Sequence, residues 1–213
     1  MELADVVRAR RMVRAYQPGR PVPDAVLDRL LRNAVHAPSA GFSQGWDFVV
    51  LRRPEDVARF WTATTDPAEE PDDWLRGLQT APALVVCLSD PERYLRRYAE
   101  PDKGWDEGGD RAARLAHWPV PYWDVDTGMA AMLMLLTAVD EGLGACFFGV
   151  PPERHAEVLA ALGAPADRRV VGVVSLGHSA PDRRSPSLRR GRRPVEEVAH
   201  EGRFGTPWRR GVG

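Results

Sequence analysis

The segment from Asp126 to Gly149, DTGMAAMLMLLTAVDEGLGACFFG, constrains this chain more than any other. From Met129 to Val139 it is apolar almost all the way round, whereas a surface helix keeps a polar face. Such a helix has to be covered on every side, by its own domain or in part by a second subunit. Thr127 is placed as its N-cap, with Asp126 ahead of it, and Gly142 and Gly144 end it. Ala145 to Val150 then reads as a buried strand closed by Pro151 and Pro152. The apolar run of about 11 residues, stopped by Asp140 and Glu141, falls short of the roughly 20 needed to cross a bilayer.

A chain of 213 residues without internal repeats is read as one domain spanning 1–213. Charges at Glu2, Asp5, Arg8, Arg10 and Arg11 interrupt the first turns, which argues against a secretory leader and for a cytoplasmic setting. Cys87 and Cys146 lie inside apolar runs without metal spacing and read as reduced core residues. Lys103 is the only lysine, and the arginines gather at two places: Arg8, Arg10, Arg11, Arg14, and Arg183, Arg184, Arg189, Arg190, Arg192, Arg193. The planar guanidinium fork suits phosphate, although either cluster alone also fits a solvated surface. A net charge of −1 and the acidic stretch Asp66 to Asp73 argue against nucleic acid.

Taken in order, Leu3 to Arg11 forms a short helix that runs into an extended Val13 to Tyr16. A helix after Pro23 carries Val26, Leu27, Leu30, Leu31, Ala34 and Val35 on one face and stops before Pro38. The small-residue loop Pro38 to Gly45 admits a flat ligand close to the backbone and leads into a strand, Trp46 to Leu51. Pro54 to Trp61 reads as a helix, Asp66 to Asp73 as an exposed loop, and Ala83 to Ser89 as a buried strand. From about residue 90 to 123 the pattern weakens into an aromatic-rich excursion suited to a lid or substrate-binding insertion. Pro152 to Leu162 is an amphipathic helix and Val170 to Leu176 a strand, which together give an α/β or α+β domain with a covered sheet.

Familiar catalytic signatures are absent: no G-x-S-x-G, no H-E-x-x-H, no Walker loop and no dinucleotide fingerprint. The five histidines, His36, His117, His155, His178 and His200, are scattered without ligand spacing, so no metal centre is expected. What remains suits a flat, phosphorylated cofactor. RRMVRAY, HAPSAGFSQGWDFVV, the D-x-G-x-A-A helix running into GLGACFFG, LGHSAP and RRGRRPVEEV together resemble the FMN-dependent nitroreductase family. None of these motifs is specific alone; their order and spacing carry the resemblance, which leaves out the excursion.

The resemblance implies an α+β fold with a central, mostly antiparallel sheet flanked by helices, in an intertwined homodimer with FMN at the subunit interface. It would make the apolar helix the dimer core. It places Arg10 and Arg11 near the phosphate and ribityl chain, with Met12 in the same motif and Arg14 at the pyrimidine edge. Arg190 and Arg192 match cations that close on the phosphate, and Pro38, Ser39, Ala40 and Phe42 match a loop offered by the neighbouring subunit. Phe147, Phe148 and Gly149 match a segment whose backbone lies against the ring. Met12 stands where many members have serine, Phe42 where asparagine is frequent, and Gly45 where proline is frequent. The implied activity is a ping-pong cycle: NAD(P)H passes hydride to the flavin, leaves, and a nitroaromatic, quinone or related small acceptor takes its place. Two other readings remain: a specialised flavoenzyme of the same fold, oxidative or flavin-fragmenting, and a non-enzymatic flavin or nucleotide binder.

Overall fold

The computed structural model describes residues 1–66, 68–105, 108–181 and 185–208. The chain divides into two compact units, Met1–Asp182 and Arg183–Gly213.

The first unit holds a four-stranded sheet made of β1 (Trp46–Leu51), β2 (Ala83–Ser89), β3 (Gly144–Phe148) and β4 (Arg169–Gly177). The spatial order is β1-β2-β4-β3 and every pairing is antiparallel. Trp46 lies opposite Ser89, Ala83 opposite Leu176, and Gly144 opposite Gly177. Alternation along β2 sends Leu84, Val86 and Leu88 into one hydrophobic cluster, and Ala83, Val85 and Cys87 into another. Because both faces are covered, all seven β2 residues are buried, which is why LVVCL shows no polar alternation. Each fully buried aliphatic side chain here contributes about 1.5–3 kcal/mol. Burial also pushes the Cys87 thiol up to about 12, leaving it an inert small hydrophobe.

The helices are α1 (Leu3–Ala9), α2 (Asp24–Ala34), α3 (Pro54–Thr64), α4 (Asp73–Leu78), α5 (Pro91–Tyr98), α6 (Arg111–Ala116), α7 (Tyr122–Asp140) and α8 (His155–Ala161). Phe60 and Trp61 of α3 and Val158 of α8 cover the first sheet face. Leu27 and Leu30 of α2 and Met134 and Ala138 of α7 cover the second.

The long helix differs from the expectation. It begins at Tyr122, straight after Pro121, so Thr127 lies inside it and is not a cap. The Thr127 hydroxyl donates back to the Trp123 carbonyl at 2.7 Å, the usual outlet for a mid-helix threonine. The acidic stretch is not wholly loop either: Asp72 caps α4 by accepting the Leu75 N–H at 2.8 Å. The amphipathic segment after Pro151 starts as a 3₁₀ turn, Pro152–Arg154, before α8.

One face of α7 stays bare in the single chain. Ala130, Ala131, Met134 and Ala138 are buried, whereas Val125, Met129 and Met132 are exposed, Met132 to 43%. The exposed side chains are as apolar as the buried ones, and Leu3, Val7 and Val35 are exposed as well. Among the described residues no helix is long and apolar enough to cross a membrane.

The second unit carries a 3₁₀ turn, Pro186–Arg190, and α9 (Val195–Val198). Arg193 is anchored there by donating to the Glu197 carbonyl at 3.0 Å. Arg183 and Arg184 fall outside the described residues.

Candidate functional site

The N-terminal arginines are delivered to the open edge of β3. Past α1 the chain runs extended: Met12 bridges Ala145 in parallel, and the Val13 N–H donates to the Ala145 carbonyl at 2.9 Å. Gly144 makes this approach possible, since a Cβ there would meet Val13 at 2.8 Å and Ser179 Oγ at 2.5 Å. Buried Tyr16 pins the far end, its hydroxyl donating to the Val13 carbonyl at 2.7 Å and meeting Ser175 Oγ at 2.8 Å. Residues 12–13 and 144–147, far apart in sequence, thus become neighbours.

Two details define what this edge offers. The Phe147 N–H points at Met12 Sδ, 3.4 Å away, so the methionine occupies the strand's outward donor. The Phe147 ring lies on the bare backbone of Gly172, and Phe148 stacks on Trp61 at 5.7 Å with planes 9° apart. Both rings are therefore committed to packing; the segment can offer a ligand only backbone and the exposed Gly149, where a Cβ would meet nothing within 4 Å.

The arginines differ in their engagement. Arg14 Nη1 reaches back to the Met12 carbonyl at 3.4 Å. Arg10 Nη1 is buried and has no hydrogen-bond partner among the described residues. A buried charged donor left unsatisfied costs at least about 1–3 kcal/mol, and an anionic ligand would remove that cost. Arg190 ends the 3₁₀ turn of the second unit and Arg192 follows it two residues on.

The loop Pro38–Gly45 is a strained, firmly held structure. Gly41, Phe42 and Gln44 all have left-handed backbone, with φ of 60°, 56° and 50°. Phe42 is 75% exposed at its tip. Ser39 Oγ accepts the Gln44 N–H at 3.0 Å, and the Ser43 hydroxyl donates to the Ala40 carbonyl at 2.7 Å. The Ala40 N–H donates to Asp126 Oδ2 at 2.7 Å, and Arg97 Nε donates to the Gly41 carbonyl at 2.9 Å. Tyr94 lies over Gly45, where a Cβ would come within 2.3 Å of the ring, which accounts for glycine at this position.

The sequence profile of the nitroreductase family matches residues 7–178, from the arginine segment to the end of β4. The chain belongs to the nitroreductase family. An Archaeoglobus fulgidus protein assigned as an NADH dehydrogenase/NAD(P)H nitroreductase is 29% identical over 179 residues, 83% of this chain and 85% of that one. The NADH dehydrogenase of Thermus thermophilus is 29% identical over 80% of this chain and 83% of its own length. A Desulfovibrio desulfuricans protein assigned as a nitroreductase, solved in complex with FMN, shares the fold with a TM-score of 0.67 at 22% identity, over 96% of this chain and 98% of that one.

Within this nitroreductase the excursion is an aromatic buttress built on α5 and α6. Trp118 contacts Tyr94, Tyr98, Trp105, Tyr122 and Trp123, with ring centres 4.7–6.1 Å apart. Asp90, fully buried where β2 meets α5, faces Arg168 Nη2 at 3.0 Å, while Arg168 Nε donates to Asp47 at 2.8 Å. Asp126, 2% exposed on α7, accepts the Tyr94 hydroxyl as well as the Ala40 N–H on one oxygen. Burial, reinforced by Asp126, pushes the Tyr94 phenol up, so it remains a donor. These roles of Asp126, Tyr94 and Arg97 arise from contacts distant in sequence; the one local signal is an aspartate leading an otherwise apolar helix.

Proposed function

We propose that this nitroreductase is an FMN-dependent oxidoreductase that uses NAD(P)H to reduce nitroaromatic, quinone or related small acceptors by two electrons, as a cytoplasmic homodimer. The observation that carries the reading is buried Arg10 Nη1, a cationic donor with no acceptor among the described residues, on the segment that runs onto the open edge of β3. Such a donor fits the phosphate of FMN.

In this reading Arg10 and Arg11 bind the phosphate and ribityl chain, and Arg14 supplies fixed positive charge at the pyrimidine edge. Met12 and the backbone of Phe147, Phe148 and Gly149 support the ring. Pro38, Ser39, Ala40 and Phe42 of a second copy close its other side, and resemblance alone adds Arg190 and Arg192 at the phosphate. When bound, FMN supplies the two-electron redox chemistry, so the chain needs no nucleophile or metal. The bare Val125, Met129 and Met132 stripe supports a dimer centred on α7, because contiguous exposed apolar surface marks an interaction face.

Purified protein is expected to be yellow, to release FMN on boiling, and to bleach when NADH or NADPH is added without oxygen. Arg10→Met is expected to weaken FMN retention about tenfold to a hundredfold, the value of a hydrogen bond to a charged group. A colourless protein that takes up no FMN would reject the reading.

A further inference from the structure

The aromatic excursion encloses a cavity of about 230 Å³, walled by Leu95, Tyr98, Trp105, Arg114, His117 and Trp118. Three of the walls are rings set at angles: Tyr98 to Trp118 at 4.7 Å, Tyr98 to Trp105 at 5.1 Å and Trp105 to Trp118 at 5.7 Å between centres. A satellite core would close such a void, since protein interiors pack to near-crystal density. Here it stays open, and Trp105 at its edge is 56% exposed. Pockets for drug-sized ligands span roughly 300–1,000 Å³, so this one suits something smaller, of about one ring.

Charge narrows the class further. Arg114 Nη2 is anchored on the Leu95 carbonyl at 3.1 Å, which fixes the guanidinium in the wall. Among the described residues no carboxylate lines the cavity. Of the described acids nearby, Glu100 and Asp102 pair with Arg97 at 3.0 and 2.7 Å, Glu92 pairs with Arg111 at 2.6 Å, and Asp110 caps α6. Lys103 Nζ stands 5.5 Å from the Tyr98 ring centre and adds positive potential.

We propose that this box is an acceptor site for single-ring aromatic carboxylates, the ring held among Tyr98, Trp105 and Trp118 and the carboxylate met by Arg114. Its binding function stands on the excursion alone. Its part in turnover rests on the FMN reading, through a shared wall: the Tyr98 ring also covers Gly41 of the loop assigned to the flavin site, where a Cβ would come within 2.8 Å.

The test is equilibrium dialysis of the purified protein, as isolated, against 4-nitrobenzoate and its neutral isostere 4-nitrobenzamide. The benzoate is expected to bind about tenfold more tightly. Arg114→Met should erase that preference while amide binding persists, Arg114→Lys should restore most of it, and Trp118→Leu should weaken both ligands. In steady state the preference should sit in KM and leave kcat alone. Equal binding of the two compounds, or a preference that survives Arg114→Met, overturns the proposal. Benzoate-selective binding by a protein that takes up no FMN upholds the box and rejects the flavin reading; an FMN-loaded protein that binds neither compound does the reverse.

Discussion

The Ala40 N–H sits 2.7 Å from Asp126 Oδ2, across 86 residues of sequence. The same oxygen takes the Tyr94 hydroxyl, so one buried carboxylate on α7 joins the loop Pro38–Gly45 to α5. Each donor would be left unsatisfied in a dry setting by Asp126→Ala, at about 1–3 kcal/mol apiece. Denaturant titration should register a loss of that size for Asp126→Ala and a smaller one for Tyr94→Phe. Tyr94→Phe should leave FMN affinity unchanged if the hydroxyl only supports α5, and lower it if the loop moves with it.

Phe147 and Gly172 fit as ring on bare backbone, and a Cβ on Gly172 would come within 2.3 Å of the ring. Gly172→Ala is therefore expected to cost about 1–3 kcal/mol by overpacking. Adding Phe147→Leu should recover part of the loss, which a double-mutant cycle would read as coupling.

Met132 projects from the bare stripe of α7. A charge there is harmless to a monomer and severe at a packed dimer seam. Met132→Glu should turn a dimer into monomer in sedimentation velocity while the helical signal is retained. An unchanged sedimentation coefficient would remove α7 from the interface.

His178 titrates below its ordinary value because it is desolvated, with Arg20 adding to the effect. Below about 6.5 the unfolded chain takes up a proton that the folded chain still resists, so this contribution to stability is lost as pH falls from 6.5 towards the lowered folded value. Below that value both states are protonated and the slope ends. His178→Gln should flatten this part of the urea-midpoint profile against pH, and a profile identical to the parent would refute the assignment.

How much of this was legible in the sequence depends on the range of the forces involved. β1 and β2 fall on the expected residues and β4 begins and ends within one residue of them, because apolar runs bounded by polar residues, proline or glycine are local signals. The start of α7 falls several residues before the expected one: Asp126 looks like an N-terminal charge, yet it is used by tertiary partners, Ala40 and Tyr94. α4 was hidden because a six-residue helix containing Gly77 has too little periodicity to read. The arginine segment was recognisable by composition. That Met12 would turn its sulfur onto the Phe147 N–H was not, since that contact exists only after residues 135 apart have met.

Phe42 and Gln44 both hold left-handed backbone. Such conformations cost non-glycine residues about 1–3 kcal/mol and persist only where their surroundings enforce them. Here Ser39, Arg97 and Asp126 do the enforcing through bonds made entirely within the chain. The surface at this point is cast before any guest arrives, so association forfeits little chain entropy and residence time, more than encounter rate, should distinguish one guest from the next.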